Sequence, residues 1–525
     1  MTAFTAISLV ATLVAGASAS IGPVATLNVA NANISPDGFS RSAVLAGGTF
    51  PGPVITGMKG DNFRVNVINS LTDVTMDKVT SIHWHGIFQR GSTWEDGASM
   101  VSQCPIAPNN SFLYNFNVPD QAGTYWYHSH VLEQYCDGLR GAFIVYDPDD
   151  PHKALYDIDN EDTIITLSDW YHVPSPQEST IPTFDATLIN GLGRYRTGPA
   201  SPLAVVNVQA GKRYRFRLIS MSCDPNFVFS IDGHSLKVIE ADGENVQPID
   251  VDTIRIFAAQ RYSFVLNANQ PVGNYWIRAN PSNGAQGFLG GINSAILRYS
   301  GAPVANPTTS QKFLPMTLRE VDLHPLTDPA APGIPSPDGA DMHLTLNMGF
   351  NPLTFKFSMN GVPFVAPDVP VLLQILSGAS DATSLLPKGS VYTLPANKVI
   401  DITIPGGLIT TLAGGPHPFH LHGHTFSVIR SAGSAAYNFV NPVRRDTVNV
   451  GVIGDLVTIR FVTDNSGPWF LHCHIDWHLT MGLAVIMVED VPGIQADKPK
   501  IPKAWDDLCP IYNALTPADK GHLVP

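Results

Sequence analysis

Charged side chains are scarce in this chain of 525 residues. Asp, Glu, Lys and Arg make up 14% of it, against about 25% in an average soluble protein. The 31 basic residues are outnumbered by 44 acidic ones, which gives a formal net charge of −13. Sparse and net negative charge argues against nucleic acid and anionic membranes as partners, because both attract basic surfaces.

Long apolar runs are also rare, and the one that stands out lies at the start. No charged residue precedes Asp37, and the apolar run Ala3 to Ala15 is followed by Ala17-Ser18-Ala19, an A-x-A cleavage pattern. We interpret residues 1–19 as a signal peptide and expect a secreted, extracellular protein. A buried N-terminal strand stays an alternative, because the segment lacks the usual Lys or Arg. No later run is long and apolar enough for a membrane span.

Helix-forming stretches are limited by backbone breakers. Gly (44) and Pro (43) together make about one residue in six, which disfavours long helices and favours an all-β protein with many turns. At roughly 150 residues per domain, the length predicts two to four domains.

An internal repeat narrows the domain count. The segments that start at Gly60, Gly211 and Asn397 each continue into the polar and apolar alternation of a half-buried strand. A histidine follows 23 residues after each start, at His83, His234 and His420. We predict three related β-domains, with boundaries near residues 150 and 320: residues 20–150, 151–320 and 321–525.

Cysteine is scarce and its count is odd. Four of the five cysteines, Cys104, Cys136, Cys223 and Cys509, allow three disulfide pairings in an exported protein. Cys473 lies between His472 and His474, so we interpret it as a metal ligand. The sequons that begin at Asn33 and Asn109 are candidate glycosylation sites if the chain is secreted.

Histidine pairs are the main chemical signal. Five His-x-His pairs occur among 17 histidines, far more than this composition gives by chance. Residues i and i+2 of a strand face the same side, so each pair presents two imidazoles together. Imidazole suits copper, zinc, iron and nickel. We expect eight of these imidazoles to hold a metal cluster of about three ions between the first and third domains: His83, His85, His128, His130, His420, His422, His472 and His474.

A separate metal site is expected on the other face of the last pair. If His472 and His474 face the cluster, Cys473 faces away from it. One Cys with two His, here His417 and His478, is the ligand set of a blue-copper electron-transfer site. The backbone of Cys473 would then join the two sites over a gap on the order of 10 Å. The second domain has no His-x-His pair, and we expect no copper in it.

Four ordered motifs resemble those of multicopper oxidases, and their spacing most resembles fungal laccases. The motifs are His-Trp-His-Gly (83–86), His-Ser-His (128–130), His-Pro-Phe-His-Leu-His-Gly-His (417–424) and His-Cys-His-Ile-Asp-Trp-His (472–478). The resemblance covers essentially the whole mature chain. It implies three cupredoxin-like Greek-key β-sandwiches and disulfides that pair Cys104 with Cys509 and Cys136 with Cys223.

The resemblance also implies four copper ions per chain and a role for each ligand. The type 1 copper would be held by His417, Cys473 and His478, and the type 2 copper by His83 and His420. One type 3 copper would be held by His85, His128 and His474, and the other by His130, His422 and His472. Leu483 takes the axial type 1 position, where bilirubin oxidases and many ascorbate oxidases carry Met. A thioether is thus absent, which favours a laccase and a higher potential.

Three carboxylates match acidic residues of the laccases. Asp224 matches the group that meets the phenol near type 1 copper, where it would accept a proton. It could instead be only a turn residue before Pro225. Asp96 and Asp476 match residues near the cluster, as proton relays or as structural partners of the ligands. The 281–286 stretch lacks the aromatic residue that we expect at the substrate rim.

We therefore predict a monomeric laccase that oxidises phenols, lignin-like phenols among them, and aromatic amines. Single electrons would enter at His478 and pass through Cys473 to the cluster, where O2 becomes water. The alternatives are another multicopper oxidase, a ferroxidase or an ascorbate oxidase, and a non-catalytic copper-binding electron carrier. The carrier would need only the type 1 site, so the eight cluster histidines argue against it. A zinc hydrolase is the weakest alternative, because Cys473 suits no zinc geometry there.

Overall fold

A computed structural model describes residues 20–379, 386, 389–407 and 414–521. The predicted signal peptide, residues 1–19, lies outside the described residues. Strands dominate and helices are short, as the Gly and Pro content predicts. Within the described ranges, no helix has the length and apolar character that crossing a membrane requires.

The first sandwich is built from two mixed four-stranded sheets, with strand orders β2-β1-β4-β6 and β3-β8-β7-β5. In β6 (Ser111–Asn117), residues alternate strictly between exposed and buried, which is the period of a half-buried strand. Phe63 and Phe143 pack across the two sheets with ring centroids 4.6 Å apart. The strands are β1 Val24–Ile34, β2 Arg41–Ala46, β3 Gly52–Met58, β4 Asn62–Ser70, β5 Ile82–His85, β6 Ser111–Asn117, β7 Gly123–Ser129 and β8 Arg140–Tyr146.

The second sandwich pairs a seven-stranded sheet, β11-β10-β9-β13-β18-β15-β16, with a five-stranded sheet, β12-β20-β19-β14-β17. Phe229 and Phe264 join the two sheets, with ring centroids 5.8 Å apart. The strands are β9 Ile164–Trp170, β10 Ala186–Ile189, β11 Leu192–Tyr195, β12 Val205–Val208, β13 Arg213–Ser220, β14 Phe227–Ile231, β15 Leu236–Ala241, β16 Glu244–Val251, β17 Thr253–Ile256, β18 Arg261–Asn267, β19 Asn274–Pro281 and β20 Ser294–Tyr299.

The third sandwich has two five-stranded sheets, β21-β25-β30-β27-β28 and β24-β32-β31-β26-β29. A separate two-stranded hairpin, β22-β23, accompanies them. The strands are β21 Met342–Thr345, β22 Met348–Asn351, β23 Lys356–Met359, β24 Val391–Leu394, β25 Val399–Pro405, β26 Pro418–Leu421, β27 Phe426–Arg430, β28 Arg444–Arg445, β29 Thr447–Asn449, β30 Leu456–Val462, β31 Gly467–Cys473 and β32 Ala484–Glu489.

Helices occur as short segments, mostly near the C-terminus. The α-helices are α1 Val371–Leu376, α2 Asp476–Thr480, α3 Val491–Asp497, α4 Lys503–Asp506, α5 Leu508–Asn513 and α6 Pro517–Lys520. The 3-10 turns are Thr93–Glu95, Lys153–Leu155, Glu161–Thr163, Ser175–Gln177, Leu289–Gly291, Glu320–Asp322 and Lys498–Lys500.

The repeat found in the sequence has a structural counterpart. Gly60, Gly211 and Asn397 adopt left-handed backbone angles, with φ of 95°, 81° and 55°. Each lies in the turn just before β4, β13 or β25. Gly and Asn are the residues that adopt this conformation most readily, so these positions end one chain segment and start the next strand in the same way three times.

The first and third sandwiches abut, as the metal prediction requires. One hydrophobic core contains Val65 and Trp84 of the first sandwich together with Phe470 and Ile486 of the third. Trp505, in the C-terminal helices, joins the same core. A second core runs from the second sandwich into the third. Strands β5 and β31, which carry the histidine motifs, therefore lie against a shared apolar interior.

Candidate metal centre

Strand pairing brings the His-x-His motifs together two by two. In the first sandwich β5 runs antiparallel to β7, which places His83 opposite His128. In the third sandwich β26 runs antiparallel to β31, which places His420 opposite His472. Trp84, between the two histidines of β5, lies in the hydrophobic core, so the pair faces the other side as predicted.

The two strand pairs face each other across the boundary between the first and third sandwiches. The ring centroids of His83 and His422 are 3.9 Å apart, and those of His85 and His420 are 3.8 Å apart. All eight predicted cluster histidines are buried. The structure thus brings all of them into one group.

The grouping within this cluster matches the predicted ligand sets in part. The predicted triad of His130, His422 and His472 has its ligand nitrogens within 4.8 Å of one another. For the other predicted triad, His85 and His128 group with His83 instead. His474 lies close by, with its ring centroid 5.0 Å from that of His85 and 5.3 Å from that of His128.

Most of these rings use one nitrogen for the protein and leave the other bare. The bonded atoms include His83 Nδ1, 2.8 Å from the Asp96 carbonyl oxygen, and His420 Nδ1, 2.9 Å from that of Asp446. His128 and His472 make the same kind of bond to backbone carbonyl oxygens. Six buried nitrogens then have no hydrogen-bond partner: Nε2 of His83, His128, His130, His420 and His474, and Nδ1 of His85.

These bare nitrogens fit a metal. A buried polar atom without a partner costs about 1–3 kcal/mol, so six together need an explanation. Burial lowers the pKa of His130 to about 3 and that of His85, His128, His422, His472 and His474 well below the usual value. The rings are neutral and keep the lone pair that a metal ligand needs. Hydrogen bonds at the other nitrogen fix each ring's orientation.

Asp96 holds two of the cluster histidines in position. Its carboxylate lies 2.9 Å from His422 Nδ1, while its backbone carbonyl holds His83. One residue therefore orients candidate ligands from both sandwiches. The following residue, Gly97, has φ of 80°, and a Cβ there would overlap the carbonyl oxygen of Ile82. Only glycine allows this close approach to β5.

Asp446 likewise holds histidines of both sandwiches, His85 and His420, and sequence reasoning missed it. Its carboxylate lies 3.2 Å from His85 Nε2 and pairs with Arg261 at 2.7 and 2.8 Å. The Arg261 charge holds the pKa of this carboxyl well below its usual range, against the effect of burial. The signal was weak, because Asp446 lies between β28 and β29 in no recognisable pattern. Its only hint was an acid just beyond Arg444-Arg445.

Cys473 lies on the opposite face of β31, in a second group. Its sulfur is 3.5 Å from His417 Nδ1 and 3.8 Å from His478 Nδ1, and those two nitrogens are 3.0 Å apart. Burial raises the pKa of the Cys473 thiol, so a thiolate here needs a nearby cation. The Leu483 side chain is fully buried, and its carbonyl oxygen accepts the Cys473 N–H at 3.0 Å.

An apolar cleft of about 350 Å³ opens beside His478. It is lined by Asp224, Asn283 and Trp477, and by the three phenylalanines of the β22-β23 hairpin, Phe350, Phe355 and Phe357. The 281–286 stretch indeed supplies no aromatic ring. The hairpin supplies the aromatic rings instead. Sequence reasoning did not identify it, although Phe355 and Phe357 have the i, i+2 spacing of strand residues on one face.

Asp224 is half-buried in the wall of this cleft. Asn283 Nδ2 donates to its carboxylate at 2.7 Å. Loss of water at the wall raises the pKa of Asp224 to about 7, and the Asn283 bond opposes this rise. A carboxylate with this pKa can accept a proton near neutral pH.

Asp476 lies beside Cys136. It begins α2, and its carboxylate is 3.6 Å from the Cys136 sulfur. The structure pairs Cys136 with Cys223 and Cys104 with Cys509, as the resemblance implied. Cys473 is the free cysteine. His424, beside the cluster motif, turns away to Glu489 at 2.8 Å.

Comparison with known proteins agrees with this geometry. Three family models, each described as multicopper oxidase, match residues 28–150, 161–302 and 364–493. The chain is 63% identical to laccase-2 of Pleurotus ostreatus, over 98% of this chain and 97% of that protein. It is 61% identical to laccase-2 of Trametes versicolor, over 97% and 98%.

Solved structures give the same picture. The laccase from Botrytis aclada superposes with a TM-score of 0.81 at 32% identity, covering 94% of this chain and 92% of that one. Fet3p, a multicopper oxidase that functions in iron import, gives 0.82 at 27% identity, covering 96% and 98%.

Proposed function

The chain belongs to the multicopper oxidase family and has the activity of a laccase, and from this premise we propose that it holds four copper ions in two linked sites. The observation that carries the proposal is the set of eight buried histidines, six of them with a bare nitrogen, beside a separate group of one Cys and two His. Bound copper supplies one-electron redox chemistry and, at the cluster, a place for O2.

His417, Cys473 and His478 would hold the type 1 copper. Two imidazoles and one sulfur within 3.0–3.8 Å of one another suit a trigonal site. The fully buried Leu483 has an apolar side chain and would offer a bound copper no donor atom. A site without a thioether favours Cu(I) and thus a high potential.

The cluster histidines divide into one type 2 and two type 3 sets. His83 and His420 hold the type 2 copper. His85, His128 and His474 hold one type 3 copper, and His130, His422 and His472 hold the other. Support comes from the compact triad of His130, His422 and His472 and from the bare Nδ1 of His85, whose Nε2 is held by Asp446.

Cys473 provides the covalent link between the two sites. His472 and His474 are its direct neighbours in sequence. In addition, His472 Nδ1 lies 2.9 Å from the Cys473 carbonyl oxygen, which adds a hydrogen-bonded shortcut to the bonded path.

The cleft binds phenols and aromatic amines. Phe350, Phe355 and Trp477 form an apolar wall against which the aromatic ring of a substrate can pack. Among the proposed type 1 ligands, His478 lines this cleft. Asp224 accepts the proton that a phenol loses with its electron. Its half-buried position and raised pKa make it a base near neutral pH.

Asp96 and Asp476 have different parts in proton supply. Asp96 contacts histidines of both sandwiches and would supply protons during the reduction of O2. Asp476 lies by the Cys136–Cys223 disulfide, so we assign it a more distant relay or a supporting role.

The remaining assignments concern the chain as a whole. The domains are residues 20–150, 151–320 (without copper) and 321–525, and the predicted signal peptide directs a monomeric protein out of the cell. Asn33 and Asn109 are both exposed, so glycans can reach them. Neither nucleic acid nor a membrane is a partner.

The experiment is oxygen uptake by copper-loaded protein with a methoxyphenol, with peroxide and copper content measured in parallel. We expect uptake with the phenol, no free peroxide and four copper ions per chain. A blue, fully loaded protein that consumes no oxygen would refute the cluster assignment. Faster uptake with Fe(II) than with the phenol would move the substrate assignment to a ferroxidase and remove the role of Asp224.

A further inference from the structure

A second buried carboxylate lies beneath the cleft and belongs to neither metal group. Asp169, in β9, is fully buried. Its Oδ1 accepts the Cys223 N–H at 2.9 Å and an Arg140 N–H at 3.4 Å. Its Oδ2 accepts the Asp224 N–H at 3.1 Å and the Tyr171 hydroxyl at 3.0 Å.

This carboxylate reaches the cleft along two routes. The first is the backbone of Cys223 and Asp224, where the Asp224 side chain enters the cleft wall. The second runs through Tyr171, whose hydroxyl oxygen accepts the Trp477 indole N–H at 3.0 Å. Trp477 also lines the cleft. Asp224 and Trp477, two lining residues from distant parts of the chain, are thus both connected to the Asp169 carboxylate.

We propose that Asp169 is a positioning residue for substrate oxidation, which holds Asp224 through the backbone and Trp477 through Tyr171. The proposal rests on the proposed role of Asp224 as the proton acceptor. Because the Asp169 charge is close to Asp224, it also sets how readily Asp224 gives up its own proton.

The direction of the charge effect follows from the groups that face Asp224. Burial raises the pKa of Asp224 most, the Asn283 amide lowers it, and the nearby Asp169 carboxylate raises it further. Three other titratable groups lie near Asp224: the hydroxyl of Tyr171, which follows β9, and Cys473 and His478 of the third sandwich. Removing the Asp169 charge therefore lowers the pKa of Asp224.

The test compares Asp169→Asn with Tyr171→Phe in the copper-loaded enzyme. In Asp169→Asn, we expect the acid limb of kcat/KM for a methoxyphenol to move to lower pH by roughly half a unit, about a threefold gain in rate well below the limb. Tyr171→Phe keeps the Asp169 charge but frees Trp477. There we expect a higher KM and an unmoved limb.

Two further measurements separate positioning from general damage. In an Asp224→Asn background, adding Asp169→Asn must leave the pH profile of kcat/KM unchanged. In infrared difference spectra against pH, the carboxyl band that Asp224→Asn removes must titrate at lower pH in Asp169→Asn. Hexacyanoferrate(II), a donor that releases no proton, controls for loss of the type 1 site.

The outcomes are distinct. If Asp224→Asn leaves the phenol limb in place, the proposed role of Asp224 fails and this inference falls with it. If Asp224→Asn removes the limb but Asp169→Asn does not move it, only this inference fails. Should Asp169→Asn not fold, Tyr171→Phe still decides the Trp477 route, because an unchanged KM there contradicts it.

Discussion

Asp224 meets two opposing demands. It must be charged to accept a proton from a phenol, yet the cleft wall withholds water from it and raises its pKa to about 7. Below about pH 4 the group is neutral in the folded and the unfolded chain. As pH rises from about 4 through 7, the folded state progressively loses the stability that the neutral acid gave it, and the loss is complete above about pH 7. The group thus supports catalysis at the expense of stability.

We expect Asp224→Asn to separate these effects. The kcat/KM for a methoxyphenol should fall by about a hundredfold near pH 7, because no base remains. The melting temperature should rise by roughly 2 °C or more at pH 8 and change little at pH 4. Activity assays and calorimetry at both pH values check this, with Asp162→Asn, an exposed carboxyl of the same sandwich, as the control.

Leu483 allows a second test of a single residue. In Leu483→Met, a thioether can approach the type 1 copper and stabilise Cu(II). We expect the potential to fall, and each fall of about 60 mV changes the electron-transfer equilibrium tenfold. Redox titration of the blue absorption gives the potential. Leu483→Ile, which adds no donor, should stay near the native value, and a potential unmoved by Met would place position 483 away from the copper.

The residue scale also shows what sequence could and could not predict. The His-x-His motifs were predictable because a strand places residues i and i+2 on one face, and His83 and His85 obey that geometry. Asp446 was not, because it reaches His85 only through the meeting of two sandwiches. The role of Asp169 depends on backbone N–H groups of Cys223 and Asp224, which no side-chain pattern reveals.

At the scale of elements, the turn after Asp96 and the β22-β23 hairpin have no regular sheet to hold them in place. The turn approaches β5 so closely that Gly97 accommodates no side chain. The hairpin carries Phe350, Phe355 and Phe357, and the Phe357 N–H donates to the Met481 carbonyl oxygen at 2.9 Å. Each element positions side chains for one of the two sites, so each can be tested without disturbing the other.

We expect Gly97→Ala to impair the cluster. The added Cβ collides with β5 and must displace Asp96, which loosens His83 and His422. Copper content should fall below four per chain while the blue type 1 absorption persists. Gly91→Ala is the matched control, because Gly91 also has positive φ (65°) but open space around its Cβ. Equal copper loss in both variants would argue against a special role for Gly97.

The hairpin should govern substrate affinity. Phe355→Ala removes an aromatic ring from the cleft, so KM for phenols should rise severalfold, about 1 kcal/mol of binding, with kcat little changed. Leu353→Ala is the control, since Leu353 lies at the tip of the same hairpin and is 91% exposed. If both variants leave KM unchanged, phenols bind elsewhere.

At the scale of the whole molecule, the Cys104–Cys509 disulfide ties the first sandwich to the C-terminal helices over a sequence separation of 405. Closing such a long loop removes much conformational freedom from the unfolded chain, about 6 kcal/mol in the chain-entropy description. The Cys136–Cys223 bond spans 87 residues and lies under the substrate cleft. The two disulfides therefore differ in the length of chain that they close and in their distance from the substrate cleft.

We expect the double variant Cys104→Ser/Cys509→Ser to lower the melting temperature by several degrees while kcat/KM for phenols at 25 °C stays near the native value. Cys136→Ser/Cys223→Ser should instead reduce kcat/KM, because Asp224 follows Cys223 directly. Calorimetry and phenol assays on both variants test this. A reversal of the two phenotypes would contradict the division of roles.

The fold class and the repeat followed from turn residues and strand alternation, since both are local signals. The contact between the first and third sandwiches was inferred only because the histidines demanded it. Its apolar basis, Phe470 and Ile486 packed with Trp84, depends on residues distant in sequence and carries no local signature. For the same reason the ion pair of Arg261 and Asp446 was not foreseen.

The placement of cluster ligands at both ends of the chain imposes an order on biosynthesis. His83 to His130 leave the ribosome early, and His472 and His474 emerge only near the end. N-terminal domains fold first during synthesis, so the first sandwich exists for a time with half a ligand set. Full metal loading must therefore wait for a finished, correctly docked chain, and acquisition of the cluster marks the completed polypeptide apart from any truncated one.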